Sequence, residues 1–189
     1  MNCDVVVHLD DVTHNTNFPV NRATVLCGRY LTIPLPKKQR RHKIDEIEVR
    51  DLNWFFDHTR KVAAYYGERS AEVFERLVEH SRRDLLLDII YKTISNTNRH
   101  LGLGLPKEVR SSSLQLTSTK NDRLIEICRF VNADTLVLGM GSKNYVESEK
   151  DKYSDSCISI EYQDWECPVE DYSVLHEMFT GDTKRVIHS

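Results

Sequence analysis

Residues 121–143, Asn121-Asp122-Arg123-Leu124-Ile125-Glu126-Ile127-Cys128-Arg129-Phe130-Val131-Asn132-Ala133-Asp134-Thr135-Leu136-Val137-Leu138-Gly139-Met140-Gly141-Ser142-Lys143, decide the fold class. Leu124, Ile125 and Ile127 share the apolar face of a helix that Asn121 is placed to cap and Asn132 to stop. The apolar run from Ala133 to Leu138 then reads as a buried strand, and Gly139 to Lys143 as a Gly-rich turn opening another helix. A helix, a strand and a second helix in this order belong to an α/β layer.

The same alternation extends outward on both sides. Downstream, Cys157 to Tyr162 alternates like a strand, and Tyr172 to Thr180 suits a short closing helix before a polar tail. Upstream, Glu108 to Leu114 reads as a strand, and Asp84 to His100 as the most apolar helix, ended by Gly102, Gly104 and Pro106. Two further helices are expected before it, one from Asp51 or Asn53 to Tyr66 with Gly67 as its stop, the next capped by Ser70. Ile44, Ile47 and Val49 suggest a strand. Arg22 to Leu26 and Tyr30 to Leu35 flank Cys27-Gly28-Arg29 as a hairpin. Val5, Val6, Val7 and Leu9 form a core strand ending in Asp10 and Asp11. The expected fold is α/β, a mainly parallel sheet flanked by helices in Rossmann-like layers, with an antiparallel hairpin near the N-terminus. No linker divides the chain, so one domain over residues 1–189 is expected.

Composition excludes several classes. The chain has 189 residues, enough for a core without disulfides or a structural metal, and 26 Lys and Arg stand against 29 Asp and Glu. A net charge of −3 removes any argument from overall basicity for nucleic-acid binding and leaves only local patches. Five cysteines, an odd number without a Cys-x-x-Cys pair, suit a reduced, cytoplasmic setting. No apolar run approaches the roughly 20 residues of a membrane helix, and the N-terminus lacks the pattern of a signal peptide. The eight histidines show no His-Glu-x-x-His spacing, so neither a metal nor another cofactor is expected.

Several residues are candidates for chemistry. Asp10 and Asp11 follow a strand, where ligands of open α/β sheets gather, and strand alternation lets one of the two face a site as a base or an ammonium anchor while the other serves the loop. Gly139, Gly141, Ser142 and Lys143 bring backbone N–H groups and an ammonium together, a recipe for holding phosphate or carboxylate; the alternative is a plain tight turn. Ser111, Ser112 and Ser113 end a strand where a hydroxyl can meet a ligand, although Gly-x-Ser-x-Gly is absent. His58 either reaches a site edge or stacks on Trp54 four residues earlier. Lys37, Lys38, Arg40 and Arg41 form a basic run that is either a solvated loop or a contact for DNA phosphates.

These residues fall in an ordered series: Cys3-Asp4, Leu9-Asp10-Asp11-Val12, Asn21-Arg22, Leu31-Thr32-Ile33-Pro34, Trp54 with His58, and Ser112-Ser113-Leu114. Arg123 to Cys128, Ala133-Asp134-Thr135, Gly139-x-Gly-Ser-Lys143 with Tyr145, and Ile160 to Asp164 complete it. The series resembles the WbqC-like protein family. That resemblance implies transfer of an amino acid, glycine being the expected one, to an activated acceptor. The acceptor is either an amino sugar of O-antigen biosynthesis or a modified base in phage DNA. It further implies catalytic roles for Asp10, Asp11 and His58, and substrate contacts from Asn21, Arg22, Thr32, Ser112, Ser113, Gly139, Gly141, Ser142, Lys143 and Tyr145. The expected partners are a small amino acid and a phosphate-bearing acceptor, with DNA reached through Lys37, Lys38, Arg40 and Arg41, and no membrane. The chain departs from the family in three places. It starts after the usual N-terminal strand-helix segment, has Cys167-Pro168 where His-Pro is common, and has His176 at a commonly acidic position. The alternative is therefore a binding module that keeps the transferase fold without catalysis.

Overall fold

A computed structural model describes residues 3–15, 20–39, 41–80, 84–104, 106–163 and 173–180. In chain order the strands are β1 (Val5–His8), β2 (Arg22–Val25), β3 (Arg29–Thr32), β4 (Glu48–Val49), β5 (Asp84–Leu85), β6 (Lys107–Arg110), β7 (Thr135–Gly139) and β8 (Ser159–Gln163). The helices are α1 (Asn53–Tyr66), α2 (Glu68–Leu77), α3 (Leu86–His100), α4 (Lys120–Val131), α5 (Lys143–Glu147), α6 (Lys150–Asp155) and α7 (Val174–Thr180). The chain divides into two compact units, one of residues 1–10 and 106–166, the other of residues 11–105 and 167–189.

In the first unit β1 runs parallel to β6, with Val5 opposite Lys107 and His8 opposite Arg110. β7 runs parallel to β8, from Thr135 opposite Ser159 to Gly139 opposite Gln163. The α4 helix lays Ile125 and Cys128 into a core with Val146, Tyr153 and Ile158, and Leu136, Leu138 and Ile160 of the two strands pack on it. Asn132 ends α4 in the left-handed conformation that Asn adopts more readily than most residues. Asn121 lies inside the first turn of α4 and not at the expected cap, which is Thr119. Burial of its side chain is tolerated because both polar atoms are paired. Oδ1 accepts from the Tyr153 hydroxyl at 2.9 Å, and Nδ2 donates to the Tyr145 carbonyl at 3.3 Å. Burial pushes the Tyr153 phenol up to about 12, so it stays a donor.

In the second unit β2 and β3 form the expected antiparallel hairpin, Arg22 opposite Thr32 and Val25 opposite Arg29. Cys27 takes a left-handed φ of 58° in the connection. α1, α2 and α3 enclose a core of Trp54, Phe55, Val62, Phe74, Leu77, Leu86 and Ile89, joined by Val25 and Leu31 of the hairpin. Gly67, at φ 89°, both ends α1 and starts α2. Ser70 is therefore inside α2, donating to the Tyr66 carbonyl at 3.2 Å, and not its cap. His176 of α7 shares a 2.7 Å hydrogen bond with the Tyr66 hydroxyl, which accepts from the Leu26 N–H at 2.6 Å.

The fold is thus mixed α/β, with small parallel sheets and the antiparallel hairpin. Among the described residues every ladder has two strands, so a continuous, mainly parallel Rossmann-like sheet does not form there. Three local expectations also change. The strand expected over Glu108 to Leu114 stops at Arg110, and Ser111–Leu114 is a 3-10 turn. Ile44–Glu46 is a second such turn, followed by only two strand residues. Ile44 and Ile47, three apart, reach the core across it. Asp84 and Leu85 pair antiparallel with Val49 and Glu48, which delays the start of α3 to Leu86. Arg40, Asp164 and Cys167-Pro168 lie outside the described residues.

Asn121→Ala should lower stability by about 2–3 kcal/mol, because the Tyr153 hydroxyl would stay buried without its acceptor. Urea denaturation followed by far-UV circular dichroism measures this, and Tyr153→Phe in the same background should recover part of the loss.

Candidate functional site

The residues singled out in the sequence are distributed over both units. Asp10, Ser112, Ser113, Gly139, Gly141, Ser142, Lys143 and Tyr145 belong to the first; Asp11, Asn21, Arg22, Thr32 and His58 belong to the second.

In the first unit Asp10 sits just past the end of β1, and Ser111 and Ser112 just past the end of the parallel neighbour β6. Parallel pairing brings these two ends together although 101 residues separate Asp10 from Ser111. The Asp10 carboxylate is 2% exposed. Its Oδ1 accepts from Ser111 Oγ at 3.0 Å and from the Ser112 N–H at 2.9 Å, and its Oδ2 accepts from Ser112 Oγ at 2.7 Å. These bonds divert the chain from strand into the 3-10 turn, as short polar side chains do when they compete with a ladder. A carboxylate offers about four lone-pair directions, and donors among the described residues take three of them. Asp11 is half-buried. Ser113 turns away, donating to the Arg110 carbonyl at 2.7 Å. Ser111, one of the three serines read as candidate hydroxyls but not among the substrate contacts that the resemblance implies, is fully buried.

The Gly-rich segment is the expected turn opening a helix, and both are short. β7 passes at Gly139 into a 3-10 turn, Met140–Ser142, and the helix beyond it has five residues. Ser142 Oγ closes the turn on the Gly139 carbonyl at 2.7 Å. Neither Gly139 nor Gly141 has a positive φ, and a Cβ at either would meet nothing within 4 Å. The backbone at Gly141 therefore carries no strain that forbids a side chain. Lys143 is exposed, with Nζ 5.7 Å from the centre of the Tyr162 ring, a cation-π distance. The Tyr145 carbonyl serves Asn121, while burial, with Glu149 and Asp122 nearby, holds the Tyr145 phenol above its ordinary value. Glu126 organises the loop before α4, accepting from the Ser118 hydroxyl and from the Thr117 and Ser118 N–H groups, bonds that hold its carboxyl below the usual range.

In the second unit Asn21, Arg22 and His58 line one cavity of about 180 Å³, with Trp54 beside them. Asn21 is buried because Nδ2 donates to the Ile33 carbonyl at 2.6 Å. Arg22 is exposed, its guanidinium 4.6 Å from the centre of the Tyr30 ring. His58 is 4% exposed and meets Trp54 edge-on, ring centres 5.3 Å apart, so the two rings pair without stacking, and the same residue lines the cavity. Burial first, and then the charge of Lys61, lower its pKa to about 4, against which the Thr32 carbonyl, accepting from the ring, works in the other direction. Thr32 thus acts through its backbone. Lys37, Lys38 and Arg41 are exposed. Among the described residues no group of three or more His, Cys, Asp or Glu could hold a metal ion, and no helix is long and apolar enough to cross a membrane.

A mixed α/β protein with a buried carboxylate at the ends of two parallel strands and a histidine-walled cavity is the class these features define. The chain belongs to the WbqC-like protein family, whose model matches residues 1–182. No curated protein and no solved structure matches it.

Asp10→Ala should cost about 2 kcal/mol or more, since it strands the Ser112 N–H and two hydroxyls. Asp10→Asn should cost less, because an amide keeps the oxygen for Ser111 and the Ser112 N–H and can donate to the Ser112 hydroxyl. Denaturation midpoints of both variants test the difference. His58 supplies a pH prediction. Its folded pKa lies below the unfolded value of about 6.5, so the unfolded chain binds more protons as pH falls, and stability declines between roughly pH 6.5 and 4. His58→Gln should make the decline shallower in that window, as measured by urea midpoints against pH.

Proposed function

We propose that the protein is an amino acid group transferase, joining a small amino acid, with glycine the first to test, to an activated acceptor. The observation that carries this reading is the buried Asp10 carboxylate, held in place by Ser111 and Ser112 at the strand ends, in a chain of the WbqC-like family. A fixed anion of this kind can hold an amino acid's ammonium and take its proton. In the same reading Lys143 and Ser142, in the same unit as Asp10, meet a carboxylate or leaving phosphate. The chain is read as a single WbqC-like domain, a reading supported by a family match over residues 1–182. The setting is the cytoplasm.

The acceptor sets the bond made. With an activated base in DNA, the amino nitrogen forms a C–N bond as the C–O bond to the leaving phosphate breaks, and Asp10 receives the nitrogen's proton. With an amino sugar, the amino acid arrives as an activated acyl donor, and the sugar amine displaces its leaving group. Exposed Lys37, Lys38 and Arg41 favour a polyanionic acceptor such as DNA.

Isotope-labelled glycine should appear by mass spectrometry in one of two acceptors, phosphate-activated modified DNA or an amino-sugar nucleotide supplied with activated glycine. Asp10→Asn, the variant chosen to stay folded, should lower turnover by about 100-fold or more. Label in neither acceptor, from well-folded protein, would favour the binding-module reading, in which Asp10 is only a strand-end fastener.

A further inference from the structure

The cavity of the second unit combines an apolar wall with two buried polar side chains of one kind. Leu31 of the hairpin, Phe74 of α2, Ile89, Ile90 and Ile94 of α3, and Leu175 of α7 supply the apolar part. At about 180 Å³ it exceeds the roughly 150 Å³ of an apolar cavity that takes up benzene, so an aromatic ring or a branched group of five or six carbons fits. Asn21 and His58 supply the polar part. Each has a donor already committed. Asn21 Nδ2 donates to the Ile33 carbonyl at 2.6 Å, a contact that an amide oxygen in its place would make repulsive, so the side chain keeps Oδ1 as an acceptor. The His58 ring N–H meets the Thr32 carbonyl, and burial with the Lys61 charge keeps the ring neutral, so its second nitrogen is an acceptor too. Among the described residues neither acceptor belongs to the polar atoms sealed from solvent without a partner, and the cavity is the opening that both residues line. No described lining residue is acidic, and Arg22 turns its guanidinium over Tyr30, on the hairpin face opposite Ala23 and Leu31. Acceptors without a countercharge select a neutral donor. A carboxylate would face acceptors, and an ammonium would find no acid and be repelled by Lys61.

We propose that this cavity is a binding site for a small neutral molecule with an aromatic or branched apolar body and a hydroxyl or N–H donor, the body against the α3 isoleucines and the donor at His58. An apolar pocket with a few inward polar groups is the usual form of a small-molecule site. Glycine, a zwitterion without an apolar body, does not suit it. The inference does not rest on the transferase reading, which stands on Asp10 of the first unit.

The probes are para-cresol, toluene, benzylamine and phenylacetate, titrated into the full chain at neutral pH by calorimetry and followed by thermal shift. Para-cresol should bind and raise the melting temperature. Toluene, the same body without the hydroxyl, should bind about fivefold more weakly or worse, and the two charged probes should give no shift. In nitrogen NMR of isotope-labelled histidine, His58 is the imidazole that stays neutral to the lowest pH. Its acceptor nitrogen should move towards a hydrogen-bonded value with para-cresol and not with toluene. His58→Phe, which keeps a ring in the aromatic cluster, should bind para-cresol and toluene equally; if it fails to fold, the NMR arm needs no variant. Ala23→Leu fills the cavity from β2 and should abolish both ligands; if it fails to fold, Ile94→Trp at the exposed margin of α3 serves instead. Failure of para-cresol to bind the folded wild type would overturn the proposal. So would equal or tighter binding of a charged probe, or an unmoved His58 signal at saturation. A hydroxyl preference that survives His58→Phe, or binding that survives in a folded, filled variant, would do the same. Glycine transfer is read separately, so either reading can fail while the other stands.

Discussion

The first unit depends on a carboxylate that three donors hold at the meeting point of two distant segments. Its opening strand is separated by about a hundred residues from the strand it pairs with. Closing so long a loop has an entropic cost, although one that grows only by about 0.6 kcal/mol for each doubling of length. Four ladder pairs between β1 and β6 oppose that cost, and the Asp10 bonds to Ser111 and Ser112 add charge-assisted links just beyond them. Such bonds are worth more in a buried setting, where water does not compete for either partner. The same carboxylate ends the strand, starts the 3-10 turn and places two hydroxyls, so local structure and candidate chemistry share one cause.

The second unit meets the opposite problem, a surplus of apolar surface with polar groups distributed through it. Trp54, Phe55, His58, Phe74 and His80 meet ring to ring: His80 stacks on Phe55 with centres 4.0 Å apart, and His58 meets Phe74 at 6.3 Å. Burial keeps His58 neutral over the physiological range, so it packs as an aromatic while keeping nitrogen atoms that can hydrogen-bond. A histidine of this kind is a weak base and a poor proton reservoir at pH 7. In the proposed reaction its part is shape and hydrogen bonding rather than proton transfer. The catalytic weight of the proposed reaction therefore rests more on Asp10, which is an anion acceptor in a fixed place, than on His58.

The Gly-rich segment shows how a motif and its geometry separate. Gly139-Met140-Gly141-Ser142-Lys143 reads as an anion cradle because glycines permit positive φ and a following helix presents N–H groups. The backbone instead stays at negative φ, the turn is of the 3-10 type, and the helix is little more than one turn long. What persists is side-chain chemistry, a lysine over a tyrosine ring, which supplies a positive charge without a preformed backbone nest.

Much of the molecule was legible because its signals are local. The α4 periodicity, the Asn132 stop, the apolar run of β7, the hairpin around Cys27-Gly28 and the Gly67 boundary each follow from a few adjacent residues. Their conformational preferences act within one turn or one strand. The sequence by itself also determined the family, since an ordered series of short motifs survives without knowledge of contacts. Tertiary structure decided everything that depends on partners far along the chain. Ser111 to Leu114 has a strand-like pattern, and only the Asp10 carboxylate, a hundred residues away, turns it into a 3-10 segment. Asn121 looks like a cap until the Tyr153 hydroxyl claims it. The division of Asp10 from Asp11, one buried and one half-buried, and the gathering of Asn21, Arg22 and His58 around one cavity also needed the fold. Burial and long-range hydrogen bonding are properties of which segments meet, and no window of sequence contains both halves of such a meeting.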